Sequence, residues 1–120
     1  MRLKALGMRI AVLSDIHSNL EAFQEVIADF ERNGAEAAVC LGDCIGYGPD
    51  PEAVVQLVRS LAIPTVMGNH ELGLARPAFL SWFNDPAKES LLRNAELISA
   101  ECREWLVRLE PVLNLHGAVF

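Results

Sequence analysis

The 120-residue sequence has few cysteines, no long apolar run and no excess of positive charge. Its three cysteines, Cys40, Cys44 and Cys102, are odd in number and widely spaced, which argues against a disulfide framework and favours a reducing, cytoplasmic setting. No apolar run approaches the ~18 residues that a membrane span needs. With 16 acidic and 10 basic side chains, the net charge of −6 provides no electrostatic footprint for duplex nucleic acid. The sequence therefore indicates neither a membrane protein, nor a secreted disulfide scaffold, nor a duplex-binding module.

What the chain does contain is apolar residues at a globular density. They make up 52% of the sequence against 22% charged residues, a composition that excludes an intrinsically disordered chain. At roughly 100–200 residues per domain, a chain of 120 residues allows one domain at most. Met8 stands directly before the first strand pattern. We therefore predict an N-terminal extension at residues 1–7 and a single domain at residues 8–120.

In the first half of the chain, short apolar segments alternate with amphipathic helical patterns. Ser18 with Glu21 three residues later predicts a capping box at the first helix, and Asp50-Pro51 predicts the start of the second. The predicted strands are residues 9–13, 37–41 and 65–67. Strand–helix–strand–helix–strand order with short crossovers predicts an α/β fold, a βαβαβ parallel sheet with flanking helices.

The second half of the chain predicts two helices and a hairpin. Asp85-Pro86 predicts the start of a helix that runs to about Ile98, and Ser99 can cap the next one. After Pro111, residues 112–120 resemble a hairpin whose turn is His116-Gly117. His116 thus has two interpretations, a turn residue or a metal ligand.

Polar side chains follow each predicted strand, at the edge of a parallel sheet where ligands collect. Asp15 and His17 follow the first strand, Asp43 the second, and Asn69 and His70 the third. Carboxylates, imidazoles and a carboxamide are all metal ligands, and the two oxygens of Asp43 could bridge two cations that clamp a phosphoryl group. Each residue alone could be an ordinary turn or surface residue. Three such loops, each directly after a predicted strand, argue against a chance arrangement of these polar residues.

Other interpretations of the same sequence are weaker. The spacing of Cys40 and Cys44 allows a zinc site, but no second cysteine pair completes four ligands, which favours small buried residues at a strand end. A nucleotide-binding α/β module would need a glycine-rich phosphate loop after the first strand, and the sequence has none there. Three aromatic residues could stack on a base, although packing in the core or in a lid is their commoner use. These residues are Phe79, Trp82 and Phe83.

Three motifs resemble those of the calcineurin-like metallophosphoesterases. They are Ser-Asp-Ile-His-Ser-Asn at 14–19, Leu-Gly-Asp-Cys-Ile-Gly-Tyr-Gly at 41–48 and Met-Gly-Asn-His-Glu at 67–71. The loop Gly-Tyr-Gly-Pro-Asp-Pro at 46–51 is similar to the small bacterial phosphodiesterase-like branch of that superfamily. The resemblance covers residues 8–120. It implies an αββα sandwich and a divalent-metal-dependent phosphoesterase that hydrolyses phosphomonoesters or phosphodiesters.

The resemblance also implies a role for each matching residue. Asp15 and His17 would bind the first metal, Asp43 would bridge, and Asn69 would bind the second. A metal-bridging hydroxide would be the nucleophile. His70 would protonate the leaving alkoxide or contact the phosphate, and Glu71 could orient His70. The two divalent ions could be manganese, iron, zinc or magnesium, since these ligand types suit all four.

The sequence departs from the family's pattern at its C-terminal end. The pattern continues with three further histidines that complete both metal shells, whereas His116 is the last histidine here. We therefore expect a truncated chain, the N-terminal portion of the domain, with an open sheet edge that a second copy could cover in a homo-oligomer. The alternative function is a catalytically incompetent fragment, or a scaffold or interaction module that retains a partial metal site.

Overall fold

A computed structural model describes residues 7–120, so the predicted extension lies outside the described residues apart from Gly7. The protein is a mixed α/β fold in which helices flank a parallel strand pair. Its elements in chain order are β1 (Ile10–Leu13), α1 (Leu20–Arg32), β2 (Ala37–Cys40), α2 (Pro51–Ser60), α3 (Asn69–Ala75), a 3₁₀ helix (Pro77–Trp82), α4 (Asp85–Leu97), α5 (Ala100–Val107), β3 (Asn114–Leu115) and β4 (Ala118–Val119).

The parallel arrangement of the first two strands is confirmed. β1 pairs with β2 from Ile10 opposite Ala37 to Leu13 opposite Cys40. The third predicted strand is reduced to one parallel bridge between Cys40 and Thr65. It extends no further because Gly68 directly precedes α3 and the Met67 N–H donates to the carbonyl of Glu110 instead of to β2.

The helices bury their apolar faces. On α2, Val54, Val55 and Val58 are inaccessible to solvent, and on α4 and α5 Leu91 and Leu106 are at most 1% exposed. On α1, Phe23 is buried, whereas Leu20, Ile27 and Phe30 are half-buried. At about 1.5–3 kcal/mol for each large apolar side chain removed from water, this core holds the helices on the sheet.

Two of the predicted helix starts are wrong by one residue. Asn19, not Ser18, caps α1 by accepting from the Ala22 N–H, and the Ser18 side chain turns inward instead. Asn84, not Asp85, caps α4 through the Ala87 N–H. Ser99 caps α5 as predicted. In the two wrong cases an adjacent residue also carries a capping side chain, and local sequence does not distinguish between neighbours.

The C-terminal hairpin is confirmed. Leu115 lies opposite Ala118, and the two residues between them, His116 and Gly117, have φ angles of 53° and 78°. Two positive φ values in succession are typical of a tight hairpin turn. His116 is therefore the exposed turn residue, and the structure does not place it among the candidate metal ligands described below.

One edge of the parallel pair is open within residues 7–120, because β2 covers only one side of β1. A groove of about 310 Å³ runs between β1 and α1 along this edge, and Val12, which lines it, is 54% exposed. Besides this sheet, the same residues contain only the hairpin sheet, so the αββα sandwich stays a prediction. Within residues 7–120, no helix has the length and apolar character needed to cross a membrane.

Candidate metal centre

The loops that follow β1 and β2 are joined by their backbones. The Asp15 N–H donates to the Gly42 carbonyl at 3.0 Å, and the His17 N–H donates to the Asp43 carbonyl at 3.0 Å. A third bond runs from the Ser18 N–H to the Cys44 carbonyl at 2.8 Å. The strand pairing thus continues into the loops, which places the predicted ligands of the two loops side by side.

Three of the predicted ligands lie on left-handed backbone. Asp15, His17 and Asp43 have φ angles of 59°, 49° and 56°. For residues with a Cβ this region costs roughly 1–2 kcal/mol each, and such strain is concentrated at functional sites. The inter-loop hydrogen bonds hold these residues in an orientation that they would not adopt in an isolated chain.

The side chains of the three loops converge. One ligand atom each from His17, Asp43 and His70 lie within 4.8 Å of one another. Asp15 lies outside that group but its Oδ1 is 3.2 Å from His17 Nε2. The structure therefore brings Asp15, His17, Asp43 and His70 to one place, as the sequence predicts.

The tautomer of His17 suits a metal ligand. Its Nδ1 lies 3.0 Å from the carbonyl oxygen of Ile45, an acceptor, so Nδ1 carries the hydrogen. In the neutral ring the lone pair is then on Nε2, which faces the Oδ1 of Asp15. A metal ion beside these two atoms, which are 3.2 Å apart, could accept both lone pairs. A backbone carbonyl that fixes the ring in this way is the usual support for a histidine ligand.

Asn69 lies directly against Asp43. With its amide nitrogen facing Asp43, it donates to both carboxylate oxygens at 2.8 and 3.2 Å. Oδ1 of Asp43 also accepts from the His70 N–H at 2.9 Å. This close approach requires glycine at position 68, since a Cβ there would lie 2.3 Å from Oδ1 of Asp43.

Glu71 does not orient His70, so that expectation is wrong. Its carboxylate instead accepts from the N–H groups of Asp43 at 2.6 Å, Cys44 at 3.1 Å and Gly68 at 3.0 Å. The side chain is buried, because it lies in the first turn of α3 and points back beneath the loop that follows β2. Burial, followed by the nearby charge of Asp43, raises the pKa of Glu71 to about 7. Glu71 thus ties the loop of Asp43 to the loop of Asn69.

His70 is almost fully enclosed, with 4% of its surface exposed. Its ring packs on Phe83 at 5.2 Å between centroids, on His17 at 4.7 Å and on Tyr47 at 5.3 Å. Burial lowers the pKa of His70, the charge of His17 acts in the same direction, and Asp43 and Asp15 oppose both. Among the described residues, Nδ1 of His70 has no hydrogen-bond partner. The imidazole is therefore held neutral, and its Nδ1 is buried against Gly46.

Asn94 supports the site from α4, and sequence reasoning missed it. Its Oδ1 accepts from the Ser18 hydroxyl and from the Gly46 N–H, both at 2.6 Å. Its Nδ2 donates to the Gly48 carbonyl at 3.0 Å. A signal does exist in the sequence, because Asn94 continues the apolar stripe of Ala87 and Leu91 at helical spacing. A polar residue in such a stripe must find partners in the interior.

The cysteines fit the interpretation as small buried residues. Cys40 and Cys44 are both inaccessible to solvent, and their sulfur atoms are 4.0 Å apart and not joined by a disulfide. Within residues 7–120, no group of three or more zinc-type ligands forms around them.

The donor set fits a divalent metal ion. It combines imidazole nitrogens, carboxylate oxygens and one amide group whose oxygen becomes available if the amide rotates. Such mixed nitrogen and oxygen ligands suit manganese, iron, zinc or magnesium. The converging ligands all lie within the three sequence motifs; they are Asp15, His17, Asp43 and Asn69.

Comparison with known proteins points in the same direction. An uncharacterized protein of Methanocaldococcus jannaschii is 38% identical over 110 residues, which cover 90% of this chain and 45% of that protein. A symmetrical bis(5′-nucleosyl)-tetraphosphatase of Pectobacterium carotovorum is 30% identical over 115 residues, which cover 90% of this chain and 39% of that protein. The chain therefore spans less than half the length of these curated relatives.

A solved structure and a family model agree with these relatives. The metallophosphoesterase of Sphaerobacter thermophilus superposes with a TM-score of 0.71 at 34% identity, over 88% of this chain and 43% of that one. The model of the calcineurin-like phosphoesterase family matches residues 8–119, which is nearly the whole chain. The resemblance of the three motifs is thus confirmed, and the chain belongs to the calcineurin-like phosphoesterase family.

Proposed function

We propose that this chain carries the divalent-metal site of a phosphoesterase that hydrolyses phosphomonoesters or phosphodiesters. The observation that carries the proposal is the convergence of His17, Asp43 and His70, whose ligand atoms lie within 4.8 Å. In this proposal Asp15 and His17 bind a first ion, Asp43 bridges, and Asn69 binds a second. When bound, two such ions would lower the pKa of a bound water and neutralise charge on the phosphoryl group.

His70 is the proposed catalytic residue, which contacts the phosphate or protonates the leaving alkoxide. Because burial lowers the pKa of His70, its ring is neutral near pH 7 when no substrate is bound. An anionic ester beside the ring would favour the protonated form, since an opposite charge within about 4–6 Å raises the pKa of a histidine.

The proposal is tested by hydrolysis of bis(p-nitrophenyl) phosphate and p-nitrophenyl phosphate with manganese added. We expect metal-dependent hydrolysis that Asp43→Asn abolishes. Asp29→Asn is the matched control, because Asp29 is an exposed carboxylate on α1 away from the site. Hydrolysis that is unaffected by Asp43→Asn would exclude the mechanism. Diadenosine tetraphosphate should also be assayed, because the Pectobacterium relative is named a bis(5′-nucleosyl)-tetraphosphatase.

A second candidate function is a scaffold or interaction module that keeps a partial site without turnover. It is favoured by the ligand count, since Asn69 and the bridging Asp43 are the only protein ligands that the proposal gives the second ion. Turnover by the purified 120-residue chain with two metal ions bound would exclude it. Metal binding without turnover would support it.

We infer that a second copy covers the open edge of β1, where Val12 and Val26 expose apolar surface to a groove. Sedimentation should then show a dimer that Val12→Lys dissociates, whereas a monomeric wild type would contradict this inference.

The three cysteines form no disulfide, which supports a reducing, cytoplasmic setting that fractionation of cells would test.

A further inference from the structure

Tyr47 lies at the candidate metal centre but has no role in the proposal above. Its ring centroid is 4.9 Å from that of His17 and 5.3 Å from that of His70. The ring stands at 88° to His17 and is tilted by 49° from His70. Whereas His70 is almost fully enclosed, Tyr47 is 53% exposed. Tyr47 is thus the open side of a three-ring cluster whose two histidines belong to the site.

The loop that carries Tyr47 is held in place although it is exposed. Tyr47 has a φ of 60°, and its N–H donates to the Ser90 hydroxyl at 3.0 Å. Asn94 binds the residues on both sides, accepting from the Gly46 N–H and donating to the Gly48 carbonyl. The Gly48 N–H donates to the His17 carbonyl at 3.0 Å. A ring on so restrained a backbone loses little conformational entropy when a ligand packs against it.

Core packing does not explain this tyrosine. Phe83 already covers His70 at 5.2 Å, and that phenylalanine is itself packed against the core. The other exposed aromatic residue nearby in sequence is Trp82, which stacks edge-on against Phe79 at 5.4 Å. Trp82 is 82% exposed and, unlike Tyr47, makes no ring contact with His17 or His70 among the described residues.

We propose that Tyr47 forms a subsite for a planar aromatic group carried by the phosphate ester, either an aryl group or a nucleobase. The inference rests on the proposed function, since the phosphate must lie at the metal centre for its substituent to reach Tyr47. A substituent one or two bonds from a phosphorus atom bound there would extend toward the open side of the ring cluster, where Tyr47 is exposed. Aromatic rings prefer to pack there in an offset or edge-to-face arrangement.

Binding of phosphonates tests this subsite without turnover, because a carbon–phosphorus bond is not hydrolysed by a phosphoesterase. Phenylphosphonate and cyclohexylphosphonate have similar size, but only the former is aromatic. With Mn²⁺ present, calorimetry should give a preference of roughly 2- to 10-fold for phenylphosphonate, the range expected from one aromatic pair. Methylphosphonate supplies the baseline for the phosphoryl group alone.

Three variants assign the preference to a residue. Tyr47→Phe should keep it, and Tyr47→Leu should remove it while methylphosphonate binding stays unchanged. Trp82→Leu is the matched control and should keep it. Circular dichroism and thermal unfolding check that the exposed substitutions leave the fold intact. If AMP is also preferred over ribose 5-phosphate in a Tyr47-dependent way, while chromatography shows both intact, the subsite accepts nucleobases as well as aryl groups.

The outcomes separate this inference from the proposed function. If methylphosphonate binds but neither phenylphosphonate nor AMP has an advantage, the subsite is wrong and the metal centre stands. A preference that survives Tyr47→Leu and disappears in Trp82→Leu would also overturn it. If no phosphonate binds in the presence of Mn²⁺, both the subsite and the proposed function are contradicted.

Discussion

At the scale of single residues, Gly46 decides where His70 can lie. A Cβ at position 46 would lie 2.2 Å from Nδ1 of His70, and the φ of Gly46 is +94°. Because the ring of His70 packs on Phe83, Tyr47 and His17, any displacement of this ring would disturb those contacts. The glycine before Tyr47 is therefore a requirement of the site, beyond a general preference of turns for glycine.

Gly46→Ala should displace His70 and lower metal-dependent hydrolysis by at least about 10-fold, since a positioned general acid contributes roughly 10²- to 10⁴-fold. Gly117→Ala is the control for backbone strain, because Gly117 has a φ of +78° but its added Cβ would meet nothing within 4 Å. The assay is hydrolysis of bis(p-nitrophenyl) phosphate. An equal loss in both variants would assign the effect to strain and contradict the role of Gly46.

Glu71 makes the stability of the metal-free protein depend on pH. Its pKa is raised from 4.5 to about 7 in the folded state. Between these values the folded protein keeps a proton that the unfolded chain has lost. The free energy of unfolding therefore falls as pH rises through this interval and is flat above it, a change of about 3 kcal/mol from this group.

Urea unfolding with EDTA at several values between pH 4.5 and 8 measures this dependence. Glu71→Gln cannot titrate, so its stability should lack the fall that the wild type shows. Comparing the slopes, not the absolute stabilities, removes the cost of placing an amide against backbone N–H groups. Parallel curves for the two proteins would show that Glu71 keeps its ordinary pKa.

At the scale of elements, α4 fixes the two metal-centre loops through one side chain. Asn94 contacts Ser18 in the loop after β1 and both Gly46 and Gly48 in the loop after β2. The helix thus acts as a brace although it contributes no predicted ligand.

Asn94→Ala should destabilise the protein by on the order of 2 kcal/mol or more, because it leaves buried polar partners unsatisfied. Asn84→Ala, which removes the exposed cap of the same helix, should cost about 1 kcal/mol and leave Mn²⁺ affinity unchanged. Urea unfolding and calorimetry compare the two. A smaller loss for Asn94→Ala than for Asn84→Ala would contradict the bracing role.

The elements also show what the sequence could and could not predict. Asp15, His17, Asp43, Asn69 and His70 were found because parallel strands bring their carboxyl ends to one edge, so local position implies proximity. Glu71 and Asn94 also have distant partners that no local pattern specifies. Glu71 reaches back by 27 and 28 residues, and Asn94 by as many as 76.

At the scale of the whole molecule, the chain contains both a candidate metal centre and an open sheet edge. The chain contains the parallel strand pair and the three motif loops, yet its match covers only 45% and 39% of the lengths of two curated relatives. The third strand could not be predicted as a single bridge, because its end is set by the contact of Met67 with Glu110, far along the chain. The donor set nevertheless forms within the described residues.

The central claim is that this donor set binds divalent cations through Asp43. It is tested most directly by calorimetric titration of Mn²⁺ into the metal-free 120-residue chain, its Asp43→Asn variant and the Asp29→Asn control. The wild type and the control should bind Mn²⁺ alike, and Asp43→Asn should weaken binding by more than about 10-fold. Equal affinity in all three proteins would contradict the claim.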